Sequence, residues 1–283
     1  IVPYVRGPEA SRPAAEILEE TALLVEAGAK EVTFLGQNVN AYGKEPGFAG
    51  AEGFADLLAL ACGVPGLARI RFMTSHPKDM SEELITLLAA SNQVCEHVHL
   101  PVQSGSDKIL TAMRRGYTRG EYLDLARCLR EAVPGMALTT DLIVGFPGET
   151  EADFEDTLSL VEECGFDGAF TFIYSPRRQT EAARLPGRLD PQVARARMER
   201  LVDLVQRIGR ERNEALVGTV AEVLVEKVSR HAEGEVMGRT RTHKPVNFPS
   251  RAEPGRLVMV ELTEATSTSF RGREVPAGTS ARC

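Results

Sequence analysis

Five short runs of β-branched and aromatic residues recur through the first two thirds of the chain, and they limit the possible folds more than any other feature. Segments with helical periodicity separate the runs, and several open with a helix cap, such as the capping boxes Thr118–Glu121 and Thr150–Asp153. Strands that alternate with helices predict a parallel sheet or a (β/α) barrel, and they exclude a helix bundle or a β-sandwich. The runs are EVTFL from Glu31, RIRFM from Arg69, VCEHVHL from Val94, ALTTDLIVGF from Ala137 and GAFTFIY from Gly168.

The pattern changes after a final predicted helix, which begins at Asp190–Pro191 and ends near Leu216. Short strands with glycine between them follow, namely TVAEVLVEKVS, EVMGRTR and RLVMVELTEAT. A tail of this kind predicts a small antiparallel barrel. We therefore expect two domains, residues 1–215 and residues 216–283.

The charge of the chain is distributed unevenly. The 283 residues carry a formal net charge of −7, and 43% of them are hydrophobic. From Leu216 onward, however, ten basic residues outnumber eight acidic ones. The acidic bulk argues against a general nucleic-acid binder, whereas the basic tail permits a local one. No apolar run is long enough to span a bilayer, so a cytoplasmic protein without a membrane partner is expected.

Polar loops follow each of the five predicted strands. Their sequences are GQNVNAYG, TSHPKDM, PVQSGSDK, VGFPGET and SPRRQT. In a (β/α) barrel the loops that follow the strands share one face. The sequence therefore predicts that these loops line one pocket.

Six strings in order along the chain carry a resemblance to a known family. GQNVNAYG, RFMTSHPKDM, HLPVQSGSDKIL, MRRGYTR, TTDLIVGFPGET and FTFIYSPR resemble the radical S-adenosylmethionine methylthiotransferases, specifically the tRNA-modifying MiaB-type branch. GRTRTHKPVNF in the tail resembles the TRAM module of that family, and the resemblance runs from Ile1 to about Gly272. It implies a partial, three-quarter (β/α)6 barrel followed by a small TRAM-like RNA-binding β-barrel.

The resemblance also implies a reaction. Family members of this branch methylthiolate N6-isopentenyladenosine, 3′ of the tRNA anticodon, to 2-methylthio-N6-isopentenyladenosine. Their cofactors are S-adenosylmethionine and two [4Fe–4S] clusters, and their partners are the anticodon stem-loop of tRNA and a reducing electron donor. We expect the same here, with the protein a monomer.

The resemblance further predicts that the chain is a fragment. Family members carry a C-x-x-x-C-x-x-C cluster motif directly before a segment like IVPYVRG, where this chain starts. The expected fragment lacks the first barrel strand, the three cluster ligands and a preceding domain, and alone it should be inactive. None of its cysteines matches a family ligand or forms a C-x-x-C pair, so no metal or catalytic residue is assigned. The cysteines are Cys62, Cys95, Cys128, Cys164 and Cys283.

Candidate cofactor-binding residues lie at the ends of the predicted strands. Amides, hydroxyls and one guanidinium would bind the methionine and ribose parts of S-adenosylmethionine, and Arg115 is preferred over Arg114. Asp141 interrupts an apolar strand and needs a partner, either a structural arginine or a functional group. Gly145 and Pro147 would let the backbone approach the adenine. The full set is Gln37, Asn38, Ser75, His76, Gln103, Ser104, Arg115, Asp141, Gly145 and Pro147.

Candidate RNA-binding residues lie in the tail. Basic side chains would contact phosphates, and one aromatic ring would stack on a base. They are Arg239, Arg241, His243, Lys244 and Phe248. The alternative is an edge strand whose charges only protect it from aggregation.

Several other functions remain open. HVH places His97 and His99 on one face of a strand, as in some metal-dependent barrel hydrolases, although no later histidine of the barrel completes such a site. A truncated barrel could also bind tRNA without reacting. Related branches of the family act on threonylcarbamoyl-adenosine in tRNA or on a ribosomal protein aspartate. Finally, Arg178 and Gln179 replace a Pro-Gly turn usual in relatives, which puts the conformation of that loop in doubt.

Overall fold

The structure is a computed structural model, and it describes residues 7, 10–48, 50, 52–177, 180–229 and 234–276. The opening residues 1–6, the loop residues Arg178 and Gln179, and Cys283 lie outside the described residues. No described helix is both long and apolar enough to cross a membrane.

Five parallel strands form the first part of the molecule, as the sequence predicts. Two sheets, β1–β2 and β3–β4–β5, are joined by a parallel bridge between Ile70 and Val94. The strands therefore follow one another in sequence order around a partial barrel. They are β1 (Glu31–Phe34), β2 (Arg69–Phe72), β3 (His97–His99), β4 (Ala137–Val144) and β5 (Gly168–Ile173).

Helices cover the outer face of these strands. They are α1 (Ala14–Glu26), α2 (Phe54–Cys62), α3 (Glu82–Ala90), α4 (Asp107–Ala112), α5 (Arg119–Ala132), α6 (Glu151–Cys164) and α7 (Pro191–Glu214). The predicted capping boxes are confirmed, since Thr118 and Thr150 each accept a hydrogen bond from the backbone of the third helical residue. Short 3-10 turns occupy Val39–Ala41, Pro77–Asp79 and Glu181–Arg184.

The two faces of β4 show which side chains point into the barrel. Leu138, Thr140, Leu142 and Val144 are buried beneath the helices. Thr139, Asp141 and Ile143 alternate with them, are only half-buried and face the other way. Because side chains alternate along a strand, residues in register with the second group share the inner face. That face carries the charged and aromatic side chains described below.

The tail forms a closed five-stranded barrel. Its strands are β6 (Val220–Val228), β7 (Glu235–Thr240), β8 (Pro245–Pro249), β9 (Leu257–Ala265) and β10 (Phe270–Val275). Four of the five pairings are antiparallel, and β8 pairs with β10 in parallel. The core is made by buried residues such as Val225, Val246 and Phe270.

Candidate functional site

Four buried polar atoms of the described residues lie where the barrel strands end and have no hydrogen-bond partner, while five more are spread over other parts of the fold. The four include Asn38 Oδ1 after β1, Ser75 Oγ after β2 and Tyr174 OH after β5. Arg115 Nε, in the loop before α5, is also without a partner. A buried polar atom that makes no hydrogen bond is costly, so several of them at one end of a barrel indicate a site for a polar ligand.

The loops after β1 and β2 are tied together by amides. Asn40 donates through Nδ2 to the His76 carbonyl at 3.0 Å, and its Oδ1 accepts from the His76 backbone at 2.8 Å. Asn38 Nδ2 donates to Asp79 at 2.7 Å. Thr74 has a strained φ of 67°, and its carbonyl accepts a hydrogen bond from the Val39 amide at 3.1 Å. The predicted residue Gln37 is exposed and lines a cavity of about 580 Å³ beside β1.

The ring of His76 lies against the loop that carries Arg115. Its centroid is 5.5 Å from that of Tyr117, in a T-shaped contact, and its Nδ1 accepts a hydrogen bond from the Lys78 backbone at 3.2 Å. Burial, and then the charge of Arg115, hold the pKa of His76 below its ordinary value. His76 is therefore a neutral ring at pH 7.

The guanidinium of Arg115 is half-buried, and the groups around it neutralise its charge poorly. Burial lowers its pKa, while Tyr117 and Asp141 act in the opposite direction. Within the described ranges no carboxylate lies at ion-pair distance from it, whereas Arg114 pairs with Glu181 at the surface. Tyr117 fixes the loop by donating to the carbonyls of Pro101 and Val102, both at 3.1 Å. Of the two arginines, therefore, Arg114 has a neutralising carboxylate among the described residues and Arg115 has none.

Gln103 and Ser104 have different positions although they are adjacent. Gln103 has a φ of 72°. Its amide donates to the Asp141 carbonyl at 2.8 Å and its carbonyl accepts from the Ile143 amide at 2.9 Å, so its backbone pairs with β4 beyond the end of β3. Ser104 is only 1% exposed and contacts Thr157 of α6 at 3.4 Å. The side chain of Ser104 therefore belongs to the packing between the loop and α6.

Asp141 has a histidine as its partner rather than the arginine considered from the sequence. Its Oδ1 lies 3.3 Å from Nε2 of His99, and the other ring nitrogen of His99 is 3.0 Å from Thr139 Oγ1. These contacts fix the orientation of the imidazole. The carboxylate remains 27% exposed on the inner face of the barrel.

The turn after β4 is held by a carboxylate that the sequence reasoning missed. Both oxygens of Glu149 accept from the Gly145 amide, at 3.2 and 3.1 Å, and Glu149 also pairs with Arg197 of α7 at 2.6 Å. Burial raises the pKa of Glu149 against the effect of Arg197. Gly145 has a φ of 78°, which only glycine adopts readily, and Pro147 is buried. The signal was an acidic residue directly after FPG.

Two of the predicted RNA-binding residues, Arg241 and Lys244, contact the first barrel through their side chains. Arg241 binds Glu96 at 2.7 Å and the carbonyls of Asn92 and Val94. Lys244 Nζ donates to Asp167 O at 2.8 Å.

The other three candidates of the tail are also engaged within the chain. Arg239 pairs with Glu226 at 3.0 Å, and the ring of His243 lies 5.0 Å from that of His97. Phe248 is completely buried in the tail core, so its ring has no free face for a base. The stacking role expected for Phe248 is therefore wrong, for the physical reason that the tail needs this ring as core.

Two arginines of β2 complete this contact, and the sequence reasoning missed both. Arg69 donates to Arg239 O at 3.0 Å and to Glu222 at 2.8 Å, and Arg71 donates to Thr240 O at 2.7 Å. Both arginines are nearly inaccessible, at 1% and 3% exposure. The signal was the alternation of arginines in RIRF, which places both on one face of a strand.

The hydrolase alternative has no metal site among the described residues. His97 and His99 both contact Thr139 Oγ1, at 3.2 and 3.0 Å. No three His, Cys, Asp or Glu side chains of the described ranges are grouped so that they could hold a metal ion. The described cysteines, of which Cys95 and Cys164 are buried, likewise offer no ligand set for an iron–sulfur cluster.

Comparisons with known proteins identify two regions. A family model of the Radical SAM superfamily matches residues 1–161, and a model of the TRAM domain matches residues 214–275. Among solved structures, coproporphyrinogen III oxidase from Escherichia coli, a radical SAM enzyme, is similar with a TM-score of 0.52 and 12% identity. The match covers 91% of this chain and 63% of that chain, and it supports the fold alone.

Curated relatives share much higher identity. Proteins named tRNA-2-methylthio-N(6)-dimethylallyladenosine synthase are 53% identical in Moorella thermoacetica, 49% in Clostridium botulinum and 48% in Alkaliphilus oremlandii. Each match covers 97% of this chain. The chain spans 62%, 61% and 58% of these relatives, respectively.

Proposed function

Because this chain belongs to the Radical SAM superfamily, we propose that it acts in the methylthiolation of N6-dimethylallyladenosine, also called N6-isopentenyladenosine, at the position 3′ of the tRNA anticodon. The product would be the 2-methylthio derivative. Support comes from two relatives, 53% and 49% identical to this chain, whose names state this activity. We propose N6-isopentenyladenosine as the substrate in preference to threonylcarbamoyl-adenosine or a ribosomal protein aspartate.

Membership in the superfamily implies S-adenosylmethionine and a [4Fe–4S] cluster as cofactors. The unpartnered atoms at the strand ends fit the first of these, because its carboxylate, amino and hydroxyl groups would satisfy Asn38, Ser75 and Arg115. When bound, S-adenosylmethionine supplies the hydrogen-abstracting chemistry of the superfamily. The described residues do not fit a cluster. We propose that the protein uses two clusters whose ligands are not residues of this chain.

We infer the roles of the individual side chains from their positions. Arg115 would bind the carboxylate of the cofactor, since a poorly neutralised guanidinium gains most from an anion. Asn38 and Ser75 would bind its polar groups, with Gln37, His76 and Gln103 around them. Gly145 and Pro147 would form the wall beside the adenine, kept in place by Glu149.

We assign the cofactor to residues 1–215 and RNA contacts to residues 216–283. A reducing electron donor is needed, and we propose a monomer in the cytoplasm, where tRNA is modified. The observation that carries the cofactor assignment is the buried Arg115 Nε without a partner.

Nucleoside mass spectrometry of tRNA tests the proposed reaction. In cells that lack the gene for this chain, 2-methylthio-N6-isopentenyladenosine should disappear and N6-isopentenyladenosine should accumulate. Unchanged levels of both nucleosides would contradict the proposal, and threonylcarbamoyl-adenosine products and ribosomal protein would then be measured.

Variants of the two adjacent arginines test the cofactor site in the same cells. The gene with Arg115→Met should restore little of the product, because a charged hydrogen bond of about 1.5–3 kcal/mol is lost. The gene with Arg114→Met should restore it fully, since Arg114 pairs with Glu181 at the surface. Equal restoration by both genes would remove Arg115 from the site.

A further inference from the structure

Strand β5 presents two large aromatic rings on the open inner face of the barrel. Phe170 is 59% exposed and Phe172 is 50% exposed. In the parallel pairing of β4 with β5, Phe170 is in register with Asp141 and Phe172 with Ile143. Because residues in register share a face, both rings lie on the same side of the sheet as the carboxylate.

The carboxylate beside these rings has an unused acceptor. His99 contacts Oδ1 of Asp141 at 3.3 Å, and its ring lies 5.8 Å from that of Phe170. Within the described part of the chain, Oδ2 of Asp141 has no hydrogen-bond partner. Asp141 is also close enough to Arg115 to oppose the lowering of its pKa, so this surface adjoins the proposed cofactor site.

We propose that Asp141, Phe170 and Phe172 recognise the target base of the RNA, with Asp141 accepting its N6–H and the phenylalanines contacting the ring and its N6 hydrocarbon group. This inference rests on the proposed function and names the side chains that select its substrate. An N6-alkylated adenine offers one N–H donor between a flat aromatic ring and a branched apolar chain. The protein surface offers one acceptor beside two aromatic rings, which is the complementary arrangement.

A purely apolar occupant fits this surface poorly. A hydrophobic protein segment laid over Phe170 and Phe172 would remove Asp141 from water without giving its free oxygen a donor, which is unfavourable. A phosphate would meet the carboxylate and be repelled. The combination therefore favours a neutral aromatic ligand with an N–H group, and an alkylated adenine is such a ligand.

Binding measurements with two RNA probes test the hydrocarbon contact. The probes are anticodon stem-loops that carry either N6-dimethylallyladenosine or adenosine, and their affinity for the chain is measured by fluorescence anisotropy. The wild type should prefer the alkylated probe by about tenfold, a usual value for apolar groups in a pocket. Phe170→Ala should lose most of this preference. The control Leu23→Ala, at a site that is also 59% exposed, should keep it.

A third probe tests the role of Asp141. In it, N6 carries an added methyl group, so that no N–H remains. The wild type should bind this probe several-fold more weakly than the N6-dimethylallyladenosine probe, whereas Asp141→Asn should show a much smaller difference because its neutral oxygen makes a weaker hydrogen bond.

The outcomes separate this inference from the proposed function. If Phe170→Ala keeps the preference for the alkylated probe, or if Asp141→Asn discriminates against the methylated probe as strongly as the wild type, the recognition surface is wrong. The absence of any preference in the wild type would also overturn it. The proposed reaction is tested separately by the nucleosides of cellular tRNA, in an experiment that does not use these variants.

Discussion

Replacing Arg71 with methionine should uncouple the two barrels. Arg71 is 3% exposed and donates to the carbonyls of Arg241 at 2.6 Å and of Thr240 at 2.7 Å. Its Nε lies 2.9 Å from Glu31 Oε1, and the Glu31 side chain is itself only 15% exposed. The methionine side chain reaches only as far as the Nε position of arginine and makes none of these contacts.

The expected loss follows from what the substitution leaves behind. Two carbonyls lose a charged donor, and Glu31 keeps only the longer contact of 3.8 Å to Arg69. Removing one partner of a buried ion pair costs about 3–5 kcal/mol, because the remaining charge stays in a site of low polarity. We expect the free energy of unfolding to fall by about 4 kcal/mol.

Urea unfolding followed by circular dichroism measures this loss. Arg273→Met is the matched control, because Arg273 makes a contact of 2.6 Å to Glu261 while 73% exposed, and such surface pairs contribute about 1 kcal/mol or less. The double variant Glu31→Gln, Arg71→Met should recover part of the lost stability, since it removes the stranded charge. Equal losses for Arg71→Met and Arg273→Met would refute the reasoning.

Two further predictions concern the interface and the barrel. Burial, and then the charges of Arg71 and Arg239, lower the pKa of His243 from 6.5 to about 4. Between pH 6.5 and pH 4 the folded chain therefore binds fewer protons than the unfolded chain, and its stability falls as the pH falls. His243→Asn should reduce the loss of unfolding free energy at low pH by about 1–2 kcal/mol after solvent screening, and asparagine tolerates the φ of 64° at this position. Urea midpoints measured across this pH range test this, and an unchanged pH profile would contradict it. Gly105→Ala should destabilise the chain by about 1–3 kcal/mol, because the added Cβ would lie 2.3 Å from Asp156 O. Gly120→Ala in α5 is the control, since its Cβ would lie 4.0 Å from Thr118 Oγ1, and it should be neutral or stabilising in thermal melting. Equal melting temperatures for these two variants would show that the loop is not tightly packed there.

Local features of the fold were predictable because local residues determine them. Four of the five barrel strands begin where their predicted runs begin, whereas β3 begins at His97, three residues into its run. Thr118 and Thr150 cap the helices that they precede. The tail was harder, since β8 and β10 were not recognised as strands. Pro245 and Pro249 bound β8, and proline is unfavourable in most sheet positions, so the local signal there opposed the pairing that the closed barrel requires.

The candidate cofactor site was predictable only in its location. That polar loops follow the strands can be read from the chain, but which polar atoms remain unpartnered depends on contacts between distant segments. Ser75 keeps a free hydroxyl, whereas Ser104 turns to Thr157 of α6. Glu149 was missed because its partner Arg197 lies 48 residues away.

The basic segment of the tail shows why charge alone does not identify a binding surface. Arg241 and Lys244 meet Glu96 and Asp167, which lie directly before β3 and β5, at the ends of the strands away from Asn38 and Ser75. The eight residues of β4 separate these two ends by about 26 Å. A tail docked there closes the barrel at the end remote from the cofactor site. If the proposed function holds, the RNA contacts of the tail therefore lie at the end of the barrel that is remote from the cofactor.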